Sequence, residues 1–172
     1  MKSVLISIQP KWCELIASGK KTVEVRKTRP KLETPFKVYI YCTQGLFKDL
    51  GVIGNEMYQK RMKVIGEFVC DDIAKILNFV THFGVEGRPE RELNTIARAS
   101  CLDYMDMLGY LGTEKDGYAW HISDLKIYDP PKKLSEFCSY DARIYIGENG
   151  FPMPTHAITR PPQSWCYVKG GE

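Results

Sequence analysis

The chain has 172 residues, with 24 Lys+Arg against 21 Asp+Glu, 44% apolar and 26% charged residues. These are the proportions of a globular chain large enough to bury a core without disulfide or metal staples. No apolar run approaches the ~20 residues of a membrane-spanning helix and no signal peptide is recognisable, so the expectation is a cytoplasmic, non-membrane protein of one domain, 1–172. The six cysteines, at 13, 42, 70, 101, 138 and 166, include no CxxC pair and read as free thiols.

Ser3–Ile8, apolar and rich in branched side chains, predicts a buried strand. Pro10 suits the first turn of a helix whose stripe is Trp12, Leu15 and Ile16, with Trp12 in the core, and Gly19 offers a left-handed stop. Thr22–Lys27 sets Val23 and Val25 against Thr22, Glu24 and Arg26. Phe36–Thr43 alternates again, with Tyr39 and Tyr41 on its polar face, either lining a cleft or facing solvent. Both stretches predict half-buried strands.

Met62–Cys70 predicts a fourth strand, and Ile73–Val80 is ambiguous between strand and helix. Pro89 opens a helical pattern through Leu93, Ile96, Ala97, Tyr104, Leu108 and Leu111 to a stop at Gly112, with a break near Asp103. Tyr118–Tyr128 reads as one long strand. Six of the ten prolines fall between Asp129 and Trp165, so about 129–165 is expected to be irregular or extended, ordered by burying Tyr140, Tyr145, Ile146, Phe151 and Trp165. Trp165–Lys169 reads as a closing strand. Strands in this order, without regular helical alternation, predict an α+β fold: a small, mostly antiparallel barrel with peripheral helices.

Charge is unevenly spread. Between Gln9 and Lys37 eight basic residues face three acidic ones, a local excess of +5 in a chain of net +3, which is either a footprint for phosphates or a solvated basic face. Within it, Gly19-Lys20-Lys21-Thr22-Val23-Glu24-Val25-Arg26 has the form GxKxxExR. Gly19 ends the helix, Lys21 sits on the turn, and Glu24 and Arg26 project from one face of a strand. At a sheet rim this is a surface ion pair. Lining a barrel mouth, it presents a carboxylate acceptor and a planar donor fork to a base or phosphate.

The opening Ile6-Ser7-Ile8-Gln9-Pro10-Lys11-Trp12, the GxKxxExR segment, Tyr118-Ala119-Trp120-His121-Ile122-Ser123-Asp124-Leu125 and Arg160-Pro161-Pro162-Gln163-Ser164-Trp165-Cys166-Tyr167-Val168 together resemble ASCH-domain proteins of the PUA-like superfamily, in particular small bacterial and bacteriophage members. The resemblance implies a PUA-like β-barrel with a cleft that binds RNA or nucleotide-like ligands. One branch of the family is an amidohydrolase acting on N4-acylated cytidines, and another is linked to RNA cleavage. In the amidohydrolase branch the motif Lys is catalytic, with a Thr where this chain has Glu24 and a Glu from further along, for which Glu90 and Glu92 are candidates by position. Lys21 is retained and the hydroxyl is not. Similar members carry cysteines that suggest a metal; Cys138, His156 and Cys166 are too few for a four-ligand zinc site, so no metal and no cofactor are expected.

Of Trp120 and His121, neighbours on a strand, at most one faces the cleft: Trp120 is core or a stacking platform, and His121 is structural or a proton carrier. The leading reading is a binding module in which Lys21, Glu24, Arg26, Trp120, His121 and Arg160 contact RNA or a nucleotide-like small molecule. Arg160 arrives if the Pro-rich segment folds over the cleft mouth. The alternatives are a hydrolase (an amidohydrolase, or a ribonuclease) with Lys21 and Glu24 catalytic, and a protein-interaction module. Oligomeric state is not legible.

Overall fold

Lys2–Ile8, with every residue after Lys2 buried, forms β1, an interior strand of a five-stranded sheet. In the computed structural model residues 1–45, 53–77, 90–112, 116–140 and 157–170 are described. The elements follow as α1 (Pro10–Ala17), β2 (Val23–Arg26), β3 (Phe36–Cys42), α2 (Asn55–Gln59), β4 (Lys63–Cys70), β5 (Ile73–Ile76), α3 (Glu90–Ser100), α4 (Tyr104–Leu111), β6 (Gly117–His121), β7 (Ser123–Lys132), a 3₁₀ turn (Leu134–Glu136) and β8 (Trp165–Lys169). The class is α+β. The strands form one sheet in the order β7-β4-β3-β1-β8 and another in the order β2-β6-β5.

The chain divides into two units that interleave along the sequence: Met1–Glu14, Lys37–Phe68 and Lys126–Glu172 form the first, Leu15–Phe36 and Val69–Leu125 the second. In the first, β1 runs parallel to β3, with Val4 opposite Val38, and antiparallel to β8, with Val4 opposite Tyr167. A parallel pair needs a crossover connection, here made through α1 and β2. One side of the sheet buries Leu5, Tyr39, Tyr41, Val64, Tyr128, Phe137, Ile158 and Val168 together. Tyr39 and Tyr41 are thus core, at 3% and 2% exposure, and neither lines a cleft nor faces solvent. β3 lies between two other strands and is covered on both faces, and Tyr39 meets Phe137 edge-on at 4.9 Å. Gly66 of β4 lets β7 approach: a Cβ there would stand 2.5 Å from the Lys126 carbonyl oxygen.

In the second unit the three-stranded sheet gives Val23, Val25, Ile76 and Ala119 to a core completed by Leu93 and Ile96 of α3 and Met107 and Leu111 of α4. The helical pattern breaks where expected. Cys101 takes a left-handed φ of 55°, and Asp103 caps α4 by accepting the Asp106 amide at 2.7 Å. That break resets the helical phase, so Tyr104 is 47% exposed and Met107 takes the inward position.

Other expectations are corrected. β2 and β3 are buried on both faces, not half-buried. Trp12 is only half-buried: Cys13 and Ile16 fill the inner face of α1, and the Lys11 ammonium lies 4.6 Å from the Trp12 ring centroid. The single strand expected over Tyr118–Tyr128 is two, interrupted at Ile122. β7 continues through Pro130 and Pro131 at the edge of the sheet, the place to which proline within a strand is confined. Residues 78–80, Tyr145, Ile146, Phe151 and His156 lie outside the described residues, as do the side chains of Glu90 and Glu92. Among the described residues no helix is long and apolar enough to cross a membrane. All six cysteines are free thiols.

Candidate functional site

Two helix ends build the turn that carries Lys21. α1 stops in a Schellman motif: Gly19, at φ +72°, donates to the Ile16 carbonyl at 2.9 Å and Lys20 to the Leu15 carbonyl at 2.9 Å. α3 stops the same way with Cys101 in the left-handed position, Cys101 donating to Arg98 at 3.1 Å and Leu102 to Ala97 at 3.2 Å. The next two carbonyls of α3 are beyond reach of that motif, and the GxKxxExR turn satisfies both. The Thr22 amide donates to Ala99 at 2.8 Å, and the Lys21 ammonium donates to Ser100 at 2.7 Å. A cation at the negative end of a helix is favourable in itself.

From this anchor Lys21 Nζ reaches Glu24 Oε2 at 3.2 Å, and Glu24 Oε1 takes Arg26 Nη2 at 3.0 Å. Glu24 divides its two oxygens between two cations. Lys21, Glu24 and Arg26 are 2%, 7% and 7% exposed, so of the two positions the sequence left open, the exposed ion pair at a sheet rim is excluded. With water excluded the mutual attraction is strong, and so is the desolvation that opposes it.

The β2–β6 register distributes the remaining residues. Glu24 is opposite Trp120 and Arg26 opposite Tyr118, while Val23 is opposite His121. Trp120 therefore shares a face with the ionic cluster, and His121 points to the other. Trp120 is 0% exposed and meets Phe36 edge-on at 6.0 Å; its ring is core and offers no open face to a base. His121, expected at the site, instead pairs with Asp71 at 2.6 Å, both about half exposed, and its amide donates to the Asp72 carbonyl at 2.9 Å. The hydrogen bond from His121 holds the Asp71 carboxyl below its ordinary range. Arg160 is exposed and belongs to the first unit.

Sequence reasoning missed Ser100, Tyr110 and Asp71. Ser100 contributes a backbone oxygen, which no residue type announces. Tyr110, on the last turn of α4, hydrogen-bonds Arg26 through its hydroxyl. Burial of that hydroxyl raises its pKa, with Arg26 opposing and Glu24 reinforcing the shift.

The fold has solved relatives. An ASCH protein from Zymomonas mobilis superposes with a TM-score of 0.60 at 20% identity, over 97% of this chain and 87% of that one. A Tyr-to-Phe variant of that protein gives 0.59 at 20% identity over 98% and 91%, and a Ser-to-Ala variant 0.60 at 20% over 97% and 88%. No curated protein matches the chain significantly. The sequence model of the ASCH domain matches residues 6–131, a span that holds Lys21, Glu24, Arg26, Ser100, Tyr110 and Trp120, and the chain accordingly belongs to the ASCH domain family.

Proposed function

We propose that the Lys21–Glu24–Arg26 cluster is the binding centre of an RNA- or nucleotide-binding module, on a fold of the PUA-like barrel type. The observation that carries this reading is the burial of three ionisable side chains in mutual contact. Buried ion clusters are often no more stabilising than apolar side chains of similar volume, so the arrangement is better explained by what it binds than by what it holds together. The guanidinium is a planar fork suited to a phosphate or a base edge, the carboxylate accepts from an exocyclic amine, and the ammonium adds charge.

The hydrolase reading finds less support. The Lys21 amine is engaged as a donor to Glu24 and the Ser100 carbonyl, the disposition of a positioning cation, and position 24 has no hydroxyl.

The test is titration of short single-stranded and structured RNAs and of nucleoside monophosphates at two salt concentrations. Wild type is compared with Lys21→Arg and Arg26→Lys, which keep the buried charges. Weaker binding by the variants with unchanged melting supports the site, and a steep salt slope supports phosphate contacts. Wild type indifferent to every probe overturns it. Turnover of N4-acetylcytidine by wild type moves the protein to the hydrolase class.

A further inference from the structure

Tyr110 carries features that its place in α4 does not require. It is a large aromatic residue 40% exposed, yet its hydroxyl turns inward onto Arg26. The Lys27 ammonium lies 5.4 Å from its ring centroid. The residue before it, Gly109, sits inside the helix, where glycine is unfavourable, and a Cβ there would meet no described atom within 4 Å. Packing therefore does not demand the glycine. Gly112, at φ +82°, ends the helix two residues later. The ring thus rides on the last turn of α4, between Gly109 and the terminating Gly112.

These features have one chemistry in common. A hydroxyl on a guanidinium occupies the position that an oxygen acceptor of a ligand would take. An exposed phenol ring offers a face for a flat heterocycle, and Lys27 beside the ring offers charge to a phosphate attached to it. Trp120, being wholly buried, leaves the stacking role unfilled.

We propose that Tyr110 is the stacking and selecting residue of the Lys21–Glu24–Arg26 site: a nucleoside phosphate displaces its hydroxyl from Arg26, lays its base on the ring and sets its phosphate near Lys27. This rests on the reading of that cluster as a nucleotide site and adds the element that prefers a base-bearing ligand over a bare sugar phosphate. No covalent step is involved.

The experiment titrates nucleoside 5′-monophosphates and ribose 5-phosphate against wild type, Tyr110→Leu, Tyr110→Phe, Tyr110→Trp and Arg26→Lys, with thermal melts of each. Stacking on an aromatic side chain corresponds to roughly 5- to 140-fold in affinity. Tyr110→Leu is expected to lose that factor for the nucleotides and almost nothing for ribose 5-phosphate. Tyr110→Phe, which keeps the ring and frees Arg26, is expected to bind nucleotides as tightly as wild type or a few-fold tighter, and Tyr110→Trp to bind them with quenching of its fluorescence by the base. Tyr110→Leu binding nucleotides like wild type while Arg26→Lys does not overturns the role of Tyr110 and leaves the site standing. Equal losses in Tyr110→Phe and Tyr110→Leu overturn the displacement of the hydroxyl. Wild type binding none of the probes overturns both the inference and the reading beneath it.

Discussion

Glu24 stands directly opposite Trp120 across β2 and β6, so a charged carboxylate and a wholly buried indole are lateral neighbours on one face of the sheet. Side chains in such cross-strand pairs are in reach of one another. An apolar ring in that position excludes water from the carboxylate, which tightens its hold on Lys21 and Arg26 and raises the penalty for losing either.

Glu24→Gln is accordingly expected to destabilise the protein by about 3–5 kcal/mol, the range for removing one partner of a buried ion pair, because two cations then lose their shared counter-charge. Glu24→Thr is expected to do the same and so to gain no deacylase activity from its hydroxyl. Denaturant titration at neutral pH measures the loss; under about 1 kcal/mol, the cluster would be solvated rather than buried.

Trp120→Ala should cost about 3–5 kcal/mol as a core truncation, and Trp120→Phe much less. If the indole is core, Trp120→Phe leaves nucleotide affinity at the wild-type value under conditions where the variant is fully folded. Isothermal titration decides this, and a selective loss of affinity would return Trp120 to a stacking role.

The Asp71–His121 pair sets a pH dependence. Because the native carboxyl of Asp71 is held below its ordinary value of 3.8 by His121, its contribution is present above the unfolded-state pKa and disappears as pH falls through the native one. Both side chains are half exposed, so the contribution is below about 1 kcal/mol. Asp71→Asn should be slightly less stable than wild type at pH 7, and the two should converge as pH falls through the native carboxyl's lowered pKa. Unfolding curves at pH 7 and pH 2.5 test it; a gap of the same size at both would show that the pair contributes through packing.

Burial and the neighbouring Asp71 and Asp72 push the Cys70 thiol up to about 12. Since only thiolate reacts, iodoacetamide at pH 8 should leave Cys70 untouched in the native protein while the half-buried Cys101 and Cys138 are alkylated. Peptide mass spectrometry reads the order, and labelling of Cys70 as fast as Cys101 would contradict its burial.

Much of the scaffold was legible because it is local. β1, α1, β4, β8 and the break at Asp103 follow from periodicity, a proline, a glycine and a capping aspartate within a few residues of each other. The GxKxxExR motif likewise marked Lys21, Glu24 and Arg26. Their burial was not legible, since alternation reports which side chains are polar and not what lies across from them; here the polar face of β2 is covered and its charges satisfy one another. The carbonyl that anchors Lys21 is 79 residues away and the partner of His121 is 50 away. No spacing rule spans such distances, and only the strand register shows that Trp120 stands with Glu24 while His121 does not.

The placement of β8 beside β1 has a consequence for synthesis on the ribosome. β1 emerges first and receives β3 soon afterwards, but its other edge waits until residues 165–169 have been made. Throughout that interval the strand offers unpaired amides and carbonyls to any extended chain nearby. A ribosomal stall before β8 would leave that edge of the nascent sheet adhesive.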